Sequence, residues 1–412
     1  MNKSPRLVAL ETLYSIFYDG SYSNIALDKA LSDIKENKAF ISALVYGVTE
    51  RKITLDYFID KYAQGRIKPK VRIVLWLGVY QLLFMDKVPS SASINESVKL
   101  VKEIKQDYYS KLVNAVLHKI DNDRQIPDDL SVKYSVPENL INMWKKQYGE
   151  DVLNEFLPCI NDKPPLFAIP NKKFVNSDEL LYELECDGIL GEAYDEFVLI
   201  ENANDLTDSK AFKNGLFYIE DLSSFNCANA LDALGDDLVL DMCSAPGGKA
   251  FTISQSMNNS GKIYCYDLHE HRLNLIKNSA KRLSIDNIFT DVNDATVFNE
   301  NIPKADKILC DVPCSGFGII RRKPEIRYKD LDSVKDLPQI QYKILETSSR
   351  YLKNGGRIIY STCTLNKKEN ENVVNKFLKD HSGYKLLKDK TVFPSTVGGD
   401  GFYYAIMVKN EN

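Results

Sequence analysis

The spacing of apolar side chains in the front part of the chain is that of helices. Over the first 120 residues apolar positions recur three or four residues apart, as in Leu7, Leu10, Tyr14 and Phe17 after Pro5. This is the pattern of amphipathic helices that pack through one face. Further helices are predicted over residues 38–62, 69–85, 95–104 and 108–120. We therefore expect an all-α front domain.

The rear part of the chain alternates short strands with helices from residue 236 onward. The predicted strands cover residues 238–241, 262–267, 287–292, 307–312 and 357–362. Such alternation predicts an α/β fold, with a doubly wound, mostly parallel, Rossmann-like sheet. Sheets of this kind bind ligands at the carboxyl ends of their strands, so we expect the functional residues at those ends.

The middle of the chain has a mixed pattern. Residues 121–129 are polar and contain a proline, which favours a linker, and residues 137–160 have helical spacing. Short β-rich runs then flank a predicted helix over 178–186, which indicates a small α+β module. We therefore predict a helical domain over 1–125, linker helices with the α+β module over 126–225, and the α/β domain over 226–412.

Charge is unevenly distributed along the chain. Residues 1–120 hold 18 Lys and Arg against 12 Asp and Glu, whereas residues 121–412 hold 35 against 45. A basic front attached to an acidic rear favours a front domain that meets a polyanion. The alternative is an ordinary solvated helical surface, and charge alone does not decide between the two.

The cysteine and histidine spacing gives no sign of a metal centre. The eight cysteines form no C-x-x-C pair and the four histidines are scattered, so we expect neither a zinc site nor a disulfide framework. The longest apolar run, residues 73–85, is short for a membrane span and is interrupted by Gln81. The first residues do not resemble a secretory signal. We expect a cytosolic monomer without metal or membrane association.

A glycine-rich loop follows the first strand of the α/β part. Asp241 is followed by Met-Cys-Ser-Ala-Pro-Gly-Gly-Lys, in which Gly247 and Gly248 permit a tight turn just before a helix. Asp267 ends the next strand, where an acid suits the ribose hydroxyls of a nucleoside cofactor, and the alternative is a cap of the helix that follows. Asp294 follows the third strand, where it could reach an adenine edge.

Two cysteines follow the next two strands. Cys314 lies in Asp-Val-Pro-Cys-Ser-Gly after the fourth strand, and Cys363 lies in Ser-Thr-Cys-Thr after the fifth. A single cysteine is usually a small buried apolar residue. Two at neighbouring strand ends, opposite a cofactor loop, indicate thiol chemistry instead. Position alone does not say which of the two is the nucleophile.

Together these motifs resemble those of the RNA cytosine-C5 methyltransferases of the Nop2/Sun type. The resemblance implies that a thiolate adds to carbon 6 of cytosine, which lets carbon 5 accept a methyl group from S-adenosyl-L-methionine. It implies Cys363 as the nucleophile, Cys314 as the residue that assists product release, and Asp311 as a contact to the base. The implied cofactor contacts are Cys243, Ser244, Ala245, Pro246, Gly247, Gly248, Lys249, Asp267, Asp294 and Asp311.

Two positions depart from the pattern of the family. Ala250 stands where the family usually has threonine, and Glu220 stands where glutamine is usual. The segments 215–225 and 398–409 nevertheless resemble the family's entry segment and final strand. The helical front resembles the antitermination factor NusB, and this combination is similar to the bacterial enzymes that modify small-subunit RNA. It implies 16S ribosomal RNA, or an early small-subunit particle, as the partner.

Two basic segments are candidates for RNA contact. The residues after the Cys314 loop suit phosphate contact and base stacking, although an exposed polar loop would look alike. Residues 61–72 hold five cations and no acid. The predicted RNA-binding residues are Arg321, Arg322, Lys323, Arg327, Lys68, Lys70 and Arg72.

Several alternative functions stay open. The substrate could be a transfer RNA or large-subunit RNA, and an inactive RNA-binding assembly factor would share the fold. An amino-group methyltransferase would place an aromatic residue where Cys314 and Ser315 stand. A DNA cytosine methyltransferase would use the cysteine after proline and would not need Cys363.

Overall fold

The computed structural model describes residues 3–202, 206–394 and 398–411. Within them the chain forms two compact units: Met1–Asp162 with Ile320–Leu331, and Lys163–Ile319 with Asp332–Asn412. No helix within these ranges combines the length and the apolar character needed to cross a membrane.

The first unit is a bundle of helices. Helix α1 begins where Ser4 accepts a hydrogen bond from the Leu7 amide and Pro5 occupies the first turn. Helix α4 is apolar on nearly every side, and it packs against α1, α3, α5 and α6. The bounds are α1 Pro5–Tyr18, α2 Ser23–Leu31, α3 Lys38–Tyr62, α4 Pro69–Phe84, α5 Ser90–Glu103, α6 Ser110–Asp121, α7 Leu130–Tyr134, α8 Glu138–Tyr148 and α9 Glu150–Phe156.

The unit boundaries differ from the predicted segments. Helices α7 to α9 pack with the front helices, because Thr54 Oγ1 donates to the Val132 carbonyl at 2.5 Å and the Ile53 amide donates to Ser135 Oγ at 2.9 Å. The α+β module instead shares a core with the α/β sheet, in which Ile169 and Tyr218 are buried. The polar composition of residues 121–129 therefore does not mark a boundary between units.

The second unit holds two sheets. A four-stranded antiparallel sheet has the order β2-β3-β1-β4 and carries helix α10. Its elements are β1 Leu166–Pro170, α10 Ser177–Cys186, β2 Gly191–Tyr194, β3 Phe197–Ile200, α11 Lys210–Lys213 and β4 Phe217–Ile219.

The seven-stranded sheet has the order β10-β11-β9-β8-β5-β6-β7, and its strands β9 to β7 are parallel. This confirms the predicted Rossmann-like architecture, with an antiparallel pair added at one edge. The elements are α12 Leu222–Asn229, β5 Leu238–Asp241, α13 Gly248–Ser256, β6 Lys262–Asp267, α14 Glu270–Arg282, β7 Ile288–Val292, β8 Ala305–Asp311, α15 Leu337–Ser349, β9 Leu352–Thr362, α16 Glu371–Asp380, β10 Tyr384–Val392 and β11 Phe402–Lys409.

Helices cover both faces of this sheet. One core contains apolar side chains of α12, α13 and α14, and the other contains those of α15 and α16. The strands β5, β6, β8 and β9 run in one direction, so their carboxyl ends share one edge of the sheet. Asp311 pairs in register with Ser361, which places the loops after β8 and β9 side by side.

Candidate active site

The predicted cofactor loop turns sharply between β5 and α13. Gly247 has φ +110°, a backbone conformation that side chains with a Cβ rarely adopt. A Cβ on Gly248 would lie 3.0 Å from Glu220 Oε1, so the backbone passes close to that carboxylate. Gly247 therefore permits the tight turn that the sequence predicted, and a side chain at Gly248 would require Glu220 to shift.

This loop forms one wall of a cavity of about 210 Å³. Residues 243–249 line it together with Asp241, Asp311, Ser224 and residues 219–221. The cavity thus brings together the whole predicted loop and Asp311. The lining includes four carboxylates and the ammonium of Lys249, so the site is strongly polar and predominantly acidic.

Asp267 is buried at the end of β6 but does not line this cavity. Its carboxylate accepts a hydrogen bond from the His269 amide at 3.1 Å and lies 3.0 Å from the Arg272 guanidinium. Arg272 also donates to the Ala245 carbonyl at 2.8 Å, which ties the strand end to the cofactor loop. Asp267 lies two residues before His269, the N-cap residue of α14, so it does not occupy the cap position that the sequence offered as the alternative. The ribose contact stays a prediction.

Asp294 is exposed, and its carboxylate accepts hydrogen bonds from the Thr296 amide at 2.9 Å and from Thr296 Oγ1 at 2.6 Å. The residue before it, Asn293, donates its amide to the Asp267 carbonyl at 3.1 Å. The ends of β6 and β7 are therefore linked, although the predicted adenine contact of Asp294 stays untested.

Lys249 and Asp311 form an ion pair on the cavity wall. Lys249 Nζ donates to Asp311 Oδ2 at 2.7 Å and to Ser224 Oγ at 3.1 Å, while Ser361 Oγ donates to Asp311 Oδ1 at 2.8 Å. Burial alone would lower the pKa of Lys249, but the carboxylates of Asp311 and Glu220 raise it above its ordinary value. Lys249 is therefore cationic at neutral pH, and Asp311 is held between the cofactor loop and the end of β9.

Two buried carboxylates of the cavity are difficult to ionise. Burial, followed by the charge of Asp311, raises the pKa of Asp241 to about 8, although Lys249 acts in the opposite direction. Burial likewise raises the pKa of Glu220 to about 7, even though Thr252 Oγ1 donates to its carboxylate at 2.6 Å. Asp241 Oδ1 has no hydrogen-bond partner within the described part of the chain. A cationic group in the cavity would stabilise both carboxylates.

The two predicted cysteines meet at the same edge of the sheet. Their sulfur atoms lie 3.2 Å apart, and both side chains are half-buried. The Gly318 amide donates to the Cys363 carbonyl at 3.0 Å, and a Cβ on Gly318 would lie only 1.9 Å from the Gly401 carbonyl oxygen. Gly318 therefore holds the Cys314 loop against the Cys363 loop at a separation that no larger residue allows.

A buried carboxylate that the sequence analysis missed lies behind both cysteine loops. Glu369 accepts hydrogen bonds from the Ser315 amide at 2.8 Å and from Ser315 Oγ at 2.6 Å. It also accepts from Gln341 Nε2 at 2.9 Å and from Asn366 Nδ2 at 2.8 Å. Glu369 lies in a run of charged and amide residues that reads as an exposed helix start, so only its distance of six residues from Cys363 could have drawn attention to it.

Comparison with known proteins assigns the chain to a family. The model of the 16S rRNA methyltransferase RsmB/F family matches residues 228–408, and that of the NusB family matches residues 3–122. Over 98% of its length the chain is 33% identical to the "Probable ribosomal RNA small subunit methyltransferase B" of Bacillus subtilis (strain 168), 99% of which is covered. The chain belongs to the 16S rRNA methyltransferase RsmB/F family.

Solved structures show the same fold. The crystal structure of PH0851 matches with a TM-score of 0.82 and 27% identity, over 99% of this chain and all of that one. The structure of NSun6 from Pyrococcus horikoshii with SFG matches 67% of this chain and 99% of that one, with a TM-score of 0.61 and 21% identity. This second likeness concerns the fold alone.

Arg327 does not fit the predicted RNA contact in this RsmB/F family member. It is fully buried in the first unit, where its guanidinium donates to the carbonyls of Glu50 at 2.8 Å and Ser135 at 3.2 Å and to Asn161 Oδ1 at 2.8 Å. Arg321 is also buried, with 7% of its surface exposed. The prediction treated both as exposed because charge runs usually are, whereas here Arg327 donates to a carbonyl within α3 and to the carbonyl of Ser135, just after α7. The prediction that these two residues contact phosphates is therefore wrong, because both are buried.

The remaining predicted cations differ in their availability. Arg72 is held by Asp56 and Asp60 at 2.7 and 2.8 Å, so most of its charge is neutralised within the helical unit. Lys68 and Lys70 are exposed. Arg322 and Lys323 are half-buried, and the Lys323 ammonium lies 5.7 Å from the ring centroid of Tyr22. Lys68, Lys70, Arg322 and Lys323 therefore stay candidates for RNA contact.

Histidine, cysteine and carboxylate side chains do not gather as metal ligands anywhere in the described ranges of this family member. No group of three or more of them there is arranged to hold a metal ion.

Proposed function

We propose that this chain methylates carbon 5 of a cytosine in 16S ribosomal RNA, with S-adenosyl-L-methionine as the methyl donor and Cys363 as the nucleophile. The observation that carries the proposal is the pair of thiols 3.2 Å apart beside an acidic cavity, in a member of the RsmB/F family. Family membership supports the RNA substrate, and the thiol pair supports the carbon-5 chemistry.

The cavity suits a ligand with two positive charges. S-adenosyl-L-methionine carries a sulfonium and an ammonium group, and the cavity contains Asp241 with an unpartnered oxygen and Glu220 with a pKa of about 7. Lys249 offers a cation to the carboxylate of the same ligand. The residues that would hold the cofactor are therefore those of the 243–249 loop with Asp241 and Asp311, and Asp267 and Asp294 would reach its nucleoside part. When bound, it supplies the methyl group.

The cysteines perform the covalent chemistry of the proposal. Cys363 Sγ, as a thiolate, forms a bond to carbon 6 of the cytosine, and the electron pair displaced from the C5–C6 double bond makes carbon 5 nucleophilic. After methylation carbon 5 gives up its proton to solvent water, the electron pair of that C–H bond re-forms the C5–C6 double bond, and the Sγ–C6 bond breaks with its electron pair returning to Cys363 as a thiolate. Thiolate formation from a free cysteine at pH 7 costs roughly 2 kcal/mol. A neighbouring thiol that donates a hydrogen bond lowers this cost.

Asp311 and Cys314 have supporting roles in this proposal. Asp311 is oriented by Lys249 and Ser361, so its half-buried carboxylate is fixed where a cytosine amino group or N3 could meet it. The Cys314 sulfur lies 3.2 Å from that of the proposed nucleophile, and we assign Cys314 to product release.

Single substitutions of the two cysteines test the proposal. Cys363→Ala removes the nucleophile, so the modified cytosine should be absent from bisulfite maps of small-subunit RNA and no protein–RNA conjugate should form. Cys314→Ala should allow addition but slow release, so a conjugate that survives denaturing electrophoresis should accumulate. Cys186→Ala is the matched control, because this exposed cysteine lies in α10, outside the site.

Two outcomes would contradict the proposal in different ways. A conjugate from Cys363→Ala, with none from Cys314→Ala, would exchange the roles of the two cysteines. Normal methylation by both variants would rule out the thiol mechanism.

A further inference from the structure

The Glu369 carboxylate is completely buried, yet the four groups that donate hydrogen bonds to it among the described residues are all neutral. A buried charge is normally paired with an opposite charge, because removal from water is costly. Four donors to two oxygens are enough to hold an ionised carboxylate. The second unit therefore places a negative charge behind the cysteines without a cation among these four contacts.

The contacts of Glu369 join the two cysteine loops. Two of the four hydrogen bonds come from Ser315, the residue after Cys314, and one comes from Asn366, three residues after Cys363. Ser315 Oγ also lies 2.7 Å from Thr364 Oγ1, so the loops are bonded to each other as well. Removal of Glu369 would loosen both loops at once.

The charge acts more directly on one thiol than on the other. The Glu369 carboxylate accepts a hydrogen bond from the amide of the residue that follows Cys314, whereas on the Cys363 side it accepts one from Asn366, three residues away. The hydrogen bond with Cys363 raises the pKa of Cys314 well above its ordinary value, and burial and then the charges of Cys363, Glu369 and Asp311 act in the same direction.

The other titratable groups nearby do not counteract this effect. Tyr360 of β9 donates its hydroxyl to the Glu369 carbonyl at 2.5 Å, and burial raises the pKa of this phenol well above its ordinary value, so it is neutral. Asp311 of β8 is a second negative charge, and its Oδ2 already accepts a hydrogen bond from Lys249 at 2.7 Å.

We propose that Glu369 is a positioning residue that decides which of the two thiols loses its proton. Its negative charge keeps the proton on Cys314, and its hydrogen bonds hold Cys314 where that proton is donated to Cys363. The thiolate then resides on Cys363, the sulfur that attacks. This inference rests on the proposed function, because it assigns a cause to the different roles of the two cysteines.

The rate of thiol alkylation in the full chain measures how readily each cysteine ionises, and it does so without any need for methyl transfer. Iodoacetamide reacts with thiolates, and mass spectrometry of the two peptides gives the rate at each sulfur between pH 6 and pH 9. In the unsubstituted chain Cys363 should react first. In Glu369→Gln, which removes the charge but is nearly the same size, the preference for Cys363 over Cys314 should fall about tenfold or more.

Three further variants separate the effect of charge from that of local structure. Glu371→Gln removes a nearby carboxylate that bonds Thr391 and contacts neither cysteine loop, so the preference should stay unchanged. Ser315→Ala removes one hydrogen bond but keeps the Glu369 charge, so most of the preference should remain. Glu369→Asp should restore part of the preference lost in Glu369→Gln, because it returns the charge.

Several outcomes would overturn the inference. An unchanged preference in a folded Glu369→Gln chain, or an equal loss in Ser315→Ala, would show that the charge does not select the thiol. If Glu369→Gln does not fold, the unsubstituted chain still decides, since faster reaction at Cys314 than at Cys363 contradicts the assignment. If the predicted alkylation order holds while Cys363→Ala still methylates RNA, the proposed function fails and the role of Glu369 in thiol ionisation stands.

Discussion

Glu369 and Asp241 are both buried acids at the same edge of the sheet, but their surroundings differ. Each carboxylate oxygen of Glu369 accepts two hydrogen bonds, whereas Asp241 Oδ1 has no partner among the described residues. Glu369 holds loops in place, and its environment is complete in the protein alone. Asp241 faces a cavity whose lining holds four carboxylates against the single ammonium of Lys249, which is bonded to Asp311. The contrast separates a carboxylate that supports the fold from one that is placed for a ligand.

The most severe way to test this contrast is Glu369→Ala. The substitution leaves the Ser315 amide and the amides of Gln341 and Asn366 without their acceptor, and we expect the free energy of unfolding to fall by roughly 4 kcal/mol. Urea denaturation of the full chain measures it, with Glu371→Ala as the control on the same helix start. A loss below about 1 kcal/mol, the net contribution of a single ordinary hydrogen bond, would mean that the network is not structural.

The opposite result is expected for Asp241→Asn. The pKa of Asp241 rises from 3.8 to about 8 in the folded chain, so its contribution to stability is present at low pH and is lost as the pH rises through that window. The asparagine variant avoids this loss and should be more stable than the unsubstituted chain at pH 8, by roughly 3 kcal/mol, without cofactor. It should also bind S-adenosyl-L-methionine more weakly.

Thermal denaturation at pH 5 and pH 8 checks the stability change, and calorimetric titration checks the affinity. Asp306→Asn is a suitable control, because that carboxylate is paired with Lys353 at 2.9 Å and lies at the start of β8, away from the cavity. An Asp241→Asn chain that loses stability at pH 8 would remove the distinction between the two carboxylates.

The same contrast extends to the cations of the first unit and gives the smallest expected effect. Arg72 is paired with Asp56 and Arg327 donates to backbone carbonyls of the same unit, whereas Lys68 and Lys70 are exposed. If these lysines contact phosphates, Lys68→Glu with Lys70→Glu should weaken RNA binding and reduce the slope of log affinity against log salt by about two. Filter binding at several salt concentrations measures it.

The matched control reverses the charge of two other exposed lysines of the same unit, with Lys35→Glu and Lys38→Glu. An equal reduction in the slope for both double variants would show that only net charge matters. No reduction for Lys68 and Lys70 would remove them from the RNA surface.

The sequence predicted the elements that depend on local pattern. Alternating strands and helices gave the parallel sheet, and strand direction then placed Asp311, Cys314 and Cys363 together without any distance information. The tight turn at Gly247 and Gly248 was also predictable from local sequence, because tight turns favour glycine.

Residues whose role depends on tertiary packing were missed or misjudged. Glu369 has the local appearance of a surface acid, and its burial follows only when α15 and both cysteine loops surround it. Arg327 has the local appearance of an RNA contact. In the structure it is buried and donates to the carbonyls of Glu50 and Ser135, which lie 277 and 192 residues earlier in the chain. Charge is visible in a sequence, but the partner that neutralises it at long range is not.

Because Ile320–Leu331 belongs to the same unit as Met1–Asp162, the first unit cannot finish folding on the ribosome until this later segment has been synthesised. A ribosome that has released the front helices has not yet supplied Arg327, the donor to the carbonyls of Glu50 and Ser135. The helical unit therefore reaches its final hydrogen bonding only after more than half of the α/β unit has left the exit tunnel. The first unit therefore starts to form early in translation and is completed only when Ile320–Leu331 emerges.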